Sequence, residues 1–285
     1  MEKIAIVMDS TAYLSDELTK ELNIRTVYLN IVIDGNSYKE VIDMPLDKYY
    51  DYLKDPNNSF PTTSQPAIGE VVSCLEKLKE EGYTDVIAIA LSSGISGTFS
   101  SYSVADLMVD GINVHPFDSE VACHPEGYYA IKTAGLIKEG KSSKEIITAL
   151  DEMKKVSKAY FMADDLSHLQ RSGRLSGAQA IVGNLLQVKP LLHFEDKVIV
   201  PFQKIRTYKK VVLRIYELFD EFYRQHKDEN ISVCILHVDA LEKAEEIKNY
   251  MKEVYPNVNV EIDAITPVVS THLGIGAIGF AWTIL

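Results

Sequence analysis

Apolar and polar positions fall in blocks along this chain, and the first half repeats one pattern. A short continuous apolar run is followed by a segment whose apolar residues recur three and four apart. Residues 3–8 and 85–91 are apolar almost throughout, and 112–117 reads the same way, as strands buried on both faces do. Residues 25–33 read as one further strand. Ile68, Val71, Val72, Leu75 and Leu78 recur at helical spacing until Gly82 ends the run. A helix is expected after Ser15, an amphipathic segment over 46–53, and a helix from the glycine-rich loop 92–98 to about residue 108. Two more helices are expected over 126–138 and 142–156, the second capped by Ser142 or Ser143 with Glu145 in its first turn. This strand–helix alternation predicts a parallel sheet covered by helices on both faces. Ligands in such sheets sit at the carboxyl ends of strands, where Asp9-Ser10-Thr11 and residues 92–98 fall.

The second half mixes patterns. Residues 159–162 read as a strand, and 166–186 as a helical stretch punctuated by glycine. Two short apolar runs, 191–194 and 197–201, flank Glu195-Asp196, which reads as a two-residue hairpin turn. A long helix over 208–226, a strand over 231–237, a helix over 240–252 and a strand over 258–263 lead to a last apolar stretch, 265–285. Hairpin and crossover together predict a second α/β domain with a mixed sheet, and the boundary is placed near residue 158. No repeat and no flexible linker separates the halves, and domains joined in that way usually meet at a ligand-holding cleft.

With 46% hydrophobic residues in 285, the chain can bury a full core. No apolar run approaches the roughly 18 residues of a membrane helix, and the N-terminal run is too short for a secretory signal, so a cytoplasmic location is expected. Acidic residues number 41 against 29 basic ones, a net charge of −12, which argues against nucleic acid and anionic lipid as partners. The three cysteines, Cys74, Cys123 and Cys234, are scattered, without the paired spacing of a disulfide framework or a zinc site, and read as small buried hydrophobes.

The remaining candidate chemistry lies in four short segments: Thr63-Ser64-Gln65-Pro66, Ser92-Ser93-Gly94-Ile95-Ser96-Gly97-Thr98, Arg171-Ser172-Gly173-Arg174 and His272-Leu273-Gly274-Ile275-Gly276. The loop 92–98 follows a strand and opens a helix, so its amides and hydroxyls form an anion site or an ordinary serine-capped helix start. It lacks the GK[ST] of a phosphate loop, the glycine that a nucleophile elbow needs at position 98, and the GxGxxG spacing. Three hydroxyls before Pro66 read as a helix cap, and also as more donors than one cap requires. His272 is either a satisfied core residue or a donor to a carboxylate. Arg171, Arg174 and the patch Lys204, Arg206, Lys209 and Lys210 are either a solvated face or a place where a partner or phosphate docks. Asp164-Asp165 reads as a helix cap. Together the segments offer donors to one anionic head group and no evident nucleophile–base pair, the pattern of a carrier for an acid. A serine-dependent acyl hydrolase using Ser96 and His272 is the alternative, though no orienting acid is evident. A binding protein for another small anion is a third reading.

In order along the chain, Met8-Asp9-Ser10-Thr11, the segments at 63–66 and 92–98, Asp118-Ser119, Ser172-Gly173-Arg174, Val188-Lys189-Pro190, Ile205-Arg206-Thr207, and Thr266-Pro267 with His272-Leu273-Gly274 resemble the DegV family. Its members are the fatty-acid-binding carriers of the bacterial fatty acid kinase system. The resemblance covers essentially the whole chain; each motif alone is weak, and the ordered set is specific. It implies an α/β fold of two domains: an N-terminal three-layer α/β/α domain with a parallel sheet over 1–158, and a C-terminal two-layer α/β domain with a mixed sheet over 159–285. A long-chain fatty acid would lie between them. Its carboxylate would be held by Thr63, Ser64, Ser96, the Gly97 amide, Thr98 and His272, and its tail would fill a tunnel in the second domain. No cofactor or metal is implied, and the chain would be no enzyme. A separate fatty acid kinase catalytic subunit would use ATP to convert the bound acid to an acyl-phosphate, with Arg174 and Arg206 contacting that subunit. The carrier would then deliver the product to phospholipid synthesis, touching membranes transiently.

Overall fold

A computed structural model describes residues 2–176 and 189–285. The chain forms two compact units. The first comprises Met1–Leu46, Ser59–Lys155 and Thr266–Val268; the second comprises Asp47–Asn58, Val156–Ile265 and Val269–Leu285.

The first unit is built from β1 (Ile4–Asp9), a 3-10 turn (Ser10–Ala12), α1 (Asp16–Glu21), β2 (Ile24–Val27), β3 (Asn30–Ile33) and β4 (Asn36–Lys39). After α2 (Leu46–Lys54), most of which belongs to the second unit, come β5 (Thr62–Ser64), α3 (Ile68–Glu80), β6 (Asp85–Ala90), α4 (Thr98–Asp106), β7 (Asn113–Asp118), α5 (His124–Lys138) and α6 (Ser143–Val156). Four strands make a wholly parallel sheet in the order β2-β1-β6-β7. Every residue of β1 and β6 is buried, because helices cover both faces. Ala5, Val7, Val86, Ala88 and Ala90 pack on one face against Val71, Leu75 and Leu78 of α3 and Tyr102 and Ala105 of α4. On the other face Phe117 meets Tyr129 of α5 at 5.1 Å between ring centroids. The unit is therefore three layers around a parallel sheet.

The expected single strand over 25–33 is two. Val27 ends β2, the Leu29 N–H donates to Ser10 Oγ at 2.9 Å instead of to a ladder partner, and the chain turns away into β3. There β4, β3 and β5 form a small antiparallel sheet. Its hairpin turns on Asp34-Gly35, both at positive φ (50° and 81°), with Ile33 opposite Asn36. That is the type I′ geometry an Asp-Gly pair favours.

The second unit contains β8 (Lys158–Met162), α7 (Ser167–Arg171), β9 (Leu191–Glu195), β10 (Val198–Gln203), α8 (Tyr208–His226), β11 (Ile231–His237), α9 (Leu241–Val254), β12 (Asn259–Ala264), β13 (Ile278–Ile284) and all but the start of α10 (Pro267–Leu273). Its sheet runs β10-β9-β8-β13-β11-β12; β11 and β12 are parallel and the other pairs antiparallel. Val211, Ile215 and Phe219 of α8 and Ala244, Ile247 and Met251 of α9 bury one face with Val233, Ile235, Ile278, Phe280 and Trp282. The hairpin turn is Asp196-Lys197, one residue later than the sequence pattern places it; both residues have positive φ (46° and 71°), and Glu195 pairs with Val198 inside the ladder. Helix α8 runs as its periodicity predicts, with Thr207 Oγ1 accepting from the Lys210 N–H at its start. Within the expected helical stretch 166–186, α7 covers Ser167–Arg171, and the part from residue 177 lies outside the described residues. Among the described residues no helix is long and apolar enough to cross a membrane.

Candidate functional site

In the first unit the two hydroxyl-rich segments converge. Strand β6 carries the chain through the core to Leu91, whose N–H donates to Asp9 Oδ2 at 2.8 Å. Ser92 is buried, its N–H on the Val121 carbonyl at 2.7 Å, and its own carbonyl accepts from both Ile95 and Ser96 at 3.1 and 3.2 Å. Ser93 is fixed at both its amide and its hydroxyl by Asp118, at 3.1 and 2.5 Å. This tight loop delivers Gly97 as the residue before α4, with no side-chain cap there. Ser96 Oγ and Thr98 Oγ1 share a hydrogen bond of 2.9 Å. Thr98 is buried, while Ser96 and Gly97 keep part of their surface open. An open glycine, a hydroxyl pair and a helix amino end together favour an anion.

The segment at 63–66 is a strand where the sequence reads as a cap. Thr62–Ser64 form β5, and α3 begins only at Ile68, preceded by Ala67 without a side-chain cap. The hydroxyls therefore do not serve that helix. Thr63 is opposite the buried Ile31, and Ser64 is opposite Asn30. Side chains alternate along a strand, so the two hydroxyls leave opposite faces of the ribbon. The next residue, Gln65, reaches the other segment: a Cβ placed on Gly97 would fall 2.7 Å from Gln65 Oε1. Thr63, Ser64, Ser96, Gly97 and Thr98 are thus in one neighbourhood, joined by a glutamine that the motif contains but composition did not single out.

Behind both segments lies a set of buried acids. Asp9 Oδ1 accepts from Thr11 at its amide (3.0 Å) and its hydroxyl (2.6 Å), and Thr11 Oγ1 is 2.9 Å from Glu126 Oε2. Burial raises both carboxyls, that of Glu126 well above the ordinary carboxylate range with the Asp9 charge adding to the effect. Glu40 is hydrogen-bonded at Oε1 to the Ser10 hydroxyl and at Oε2 accepts from the Val268 N–H at 2.9 Å. Burial pushes it up to about 7 against the pull of those donors. No periodicity marks Glu40 or Glu126 as interior, because an isolated acid reads as surface whatever its neighbours.

In the second unit His272 stands near the end of α10, which Gly274 closes at φ 74°. Its Nδ1 is buried. Burial first, then the positive charges of Arg174 and His168, push it down to about 3, so the ring is a neutral imidazole. His168 holds α10 from one side, with Nδ1 3.1 Å from the Thr271 carbonyl and its ring against Gly274. Helix α2 holds it from another: Tyr49 Oη is 2.5 Å from Thr271 Oγ1, and Tyr50 Oη donates to the Ile265 carbonyl at 2.7 Å. Arg174 Nη1 donates to the Ser172 carbonyl at 2.6 Å, while Arg206, Lys204, Lys209 and Lys210 are exposed. The residue before α7 is Leu166, without a side-chain cap, so the expected cap at Asp164-Asp165 is not formed: Asp165 accepts from the amide and hydroxyl of Ser167, and Asp164 pairs with Lys189 and Lys243. Cys123 and Cys234 are buried and Cys74 half-buried, and none of the three forms a disulfide.

Comparison with known proteins agrees with this architecture. A family model described as an uncharacterised protein of the DegV family matches residues 3–284. Protein DegV of Bacillus subtilis is 50% identical over 280 residues, covering 98% of each chain. The crystal structure of a B. subtilis protein described as DegV, a fatty acid binding protein, superimposes with a TM-score of 0.94 at 48% identity over 100% of both chains. That of a fatty acid binding DegV family protein from Streptococcus agalactiae gives 0.92 at 31% identity, again over 100% of both. A two-unit α/β chain with these ordered segments, matched end to end by that family, belongs to the DegV family.

Proposed function

We propose that this protein binds a long-chain fatty acid and acts as its carrier rather than as a catalyst. The observation that carries the reading is the convergence of Thr63 and Ser64 with Ser96, Gly97 and Thr98 at the amino end of α4, linked by Gln65. Relatives described as fatty acid binding, at 48% and 31% identity over their full length, support it. In this reading the acid's carboxylate accepts from the Ser96 and Thr98 hydroxyls, from the one of Thr63 and Ser64 whose face of the ribbon is turned to them, from the Gly97 amide and from the neutral imidazole of His272. Uncharged donors suit a carboxylate that must be released again, because hydrogen bonds to an anion offset desolvation without a full ion pair. The residues of 1–158 would supply most of the head-group site, and those of 159–285 the acyl tunnel. Burying the tail contributes about 0.8 kcal/mol per methylene, so the tail sets affinity and the head group sets orientation.

The carrier reading extends to a partner. A fatty acid kinase catalytic subunit would transfer the γ-phosphoryl group of ATP to a carboxylate oxygen, giving acyl-phosphate and ADP, while Arg174 and Arg206 dock that subunit. Delivery of the acyl-phosphate to phospholipid synthesis, with brief membrane contact and a cytoplasmic location, completes the proposal. A hydrolase using Ser96 and His272 fits less well: an imidazole held near 3 by burial and by cations is a poor general base at neutral pH.

Native mass spectrometry of the purified protein tests the reading. A mass excess equal to a fatty acid, lost on denaturation, is expected. Protein that carries no such adduct and takes up no added oleate would refute it.

A further inference from the structure

Three segments carry the proposed head-group residues: the loop 92–98, the small sheet ending in β5, and α10. Two of them end on Glu40. Its Oε1 meets the Ser10 hydroxyl, which accepts from the Leu29 N–H at 2.9 Å just before β3, the strand paired with Thr63 and Ser64. The Glu40 N–H donates in turn to the Leu29 carbonyl at 3.1 Å. Its Oε2 accepts from the Val268 N–H at 2.9 Å in the first turn of α10, the helix that bears His272. The third segment is fastened one residue earlier on the same turn, by Asp9 on the Leu91 N–H. Glu40 itself is wholly buried.

We propose that Glu40 is a positioning residue whose protonated carboxyl fastens β3–β5 and the start of α10 to the carboxyl end of β1, so that head-group binding takes up a proton. The neutral acid satisfies the contacts to Ser10 and Val268 together. Its O–H donates to Ser10 Oγ, which has a second lone pair beside the one used by Leu29, and its carbonyl accepts from Val268. The ionised form keeps those contacts but sets a bare charge in the interior, where opening to water relieves it. The titratable groups that bear on it add no compensating cation. Asp9 lies on β1, Glu126 on α5 and Tyr28 before β3. Lys39 is turned to Glu70 at 2.8 Å, and Asp43 accepts the Lys39 amide. Burial raises Glu40 into the neutral range, so the fastening loosens across physiological pH. An anionic ligand nearby acts in the same direction. The effect on binding rests on the fatty-acid reading; the fastening itself does not.

Two substitutions separate the forms. Glu40→Gln copies the neutral acid, with its amide N–H toward Ser10 and its carbonyl toward Val268; Glu40→Ala removes both contacts. Hydrogen exchange of the ligand-free protein, corrected for intrinsic rates, is read at the Val268 and Leu29 amides near pH 6 and pH 8.5. Wild-type protection should drop about tenfold on the alkaline side, Glu40→Gln should stay protected at both, and Glu40→Ala should be exposed at both. Should Glu40→Ala fail to fold, wild type against Glu40→Gln decides alone. Equal pH response in wild type and Glu40→Gln overturns the proposal. Titration with a fluorescent polyene fatty acid is the second arm. Wild-type affinity should fall several-fold between those pH values and that of Glu40→Gln should stay level; parallel profiles overturn the link to binding. If wild type binds no acid at either pH while the exchange pattern holds, the functional reading fails and the fastening stands.

Discussion

Gln65 lies across the backbone of Gly97, so close that a Cβ on the glycine would fall 2.7 Å from Gln65 Oε1 and 2.9 Å from its Cδ. The contact joins the end of β5 to the residue before α4. Gly97 has φ −83°, which alanine also adopts, and the obstructing atoms are the tip of a flexible side chain. Gly97→Ala should therefore change stability by less than about 1 kcal/mol while swinging Gln65 aside and weakening fatty-acid binding roughly tenfold. Gln65→Ala in the same chain should restore much of that loss. A double-mutant cycle in binding affinity checks this, and strict additivity would exclude the contact as the cause.

Phe219 anchors the second unit. It is fully buried on α8, with Tyr255, Trp282 and Phe280 at 5.0, 5.5 and 5.9 Å between ring centroids. Phe219→Ala should cost about 3–5 kcal/mol, from lost burial and the cavity left behind. Urea unfolding followed by the emission of Trp282, the single tryptophan, reads the change where it occurs. A shift under about 1 kcal/mol would contradict the packing described.

Stability should fall as pH rises through the range set by Glu40. Its carboxyl titrates near 7 in the folded chain against 4.5 as the ordinary value, so between those limits the native state holds more protons than the unfolded one. The slope of unfolding free energy with pH is then negative. The full effect is about 3 kcal/mol, present as a loss above neutral pH. Asp9 and Glu126 are raised by the same cause and add to the slope. Glu40→Gln should flatten part of it and raise the melting temperature most on the alkaline side. Identical melting temperature–pH curves for the two proteins would exclude a buried, raised Glu40.

His272 should carry no charge at any physiological pH, since burial, Arg174 and His168 hold it near 3. The sign is opposite to that of Glu40: from about 6.5 downward the unfolded chain binds the proton that the native ring refuses, so stability is lost as pH falls through that window. In an NMR titration of ring carbon-bound protons, His272 should stay fixed between about pH 5 and 8 while an ordinary imidazole moves. His272→Ala should weaken fatty-acid binding and leave the fold intact.

Arg174 and Arg206 belong to the second unit, and Arg206 is exposed beside Lys204, Lys209 and Lys210. Reversing the charge of Arg206, which unlike Arg174 does not bear on His272, should spare fatty-acid affinity and reduce ATP-dependent phosphorylation of the bound acid by the proposed kinase subunit at least tenfold. An unchanged phosphorylation rate would remove the docking role.

What the sequence exposed and what it hid follow from how each feature is encoded. Continuous apolar runs such as Val86 to Ala90 declare strands buried on both faces, and the stripe Val71, Leu75 and Leu78 declares a helix against them, so the parallel sheet was legible. The Asp34-Gly35 turn carries a plain hairpin signal, yet the pattern runs β2 and β3 together as one strand over 25–33, because apolar residues continue across Tyr28 and Leu29. There a hydrogen bond from Leu29 to Ser10, distant in sequence, ends the strand. The hydroxyls at 62–64 read as helix-capping residues until the structure placed them in β5. Glu40 and Glu126 are isolated acids whose burial depends on tertiary partners, and no local pattern encodes that.

The chain passes between the two units at 46–47, 58–59, 155–156, 265–266 and 268–269. Neither unit is an unbroken stretch of the gene, so no single cut yields either one whole. On the ribosome the first unit stays incomplete until Thr266–Val268 emerge, and Glu40 waits for the Val268 amide through the synthesis of more than two hundred residues. The first unit therefore cannot close until the helix that bears His272 begins to emerge.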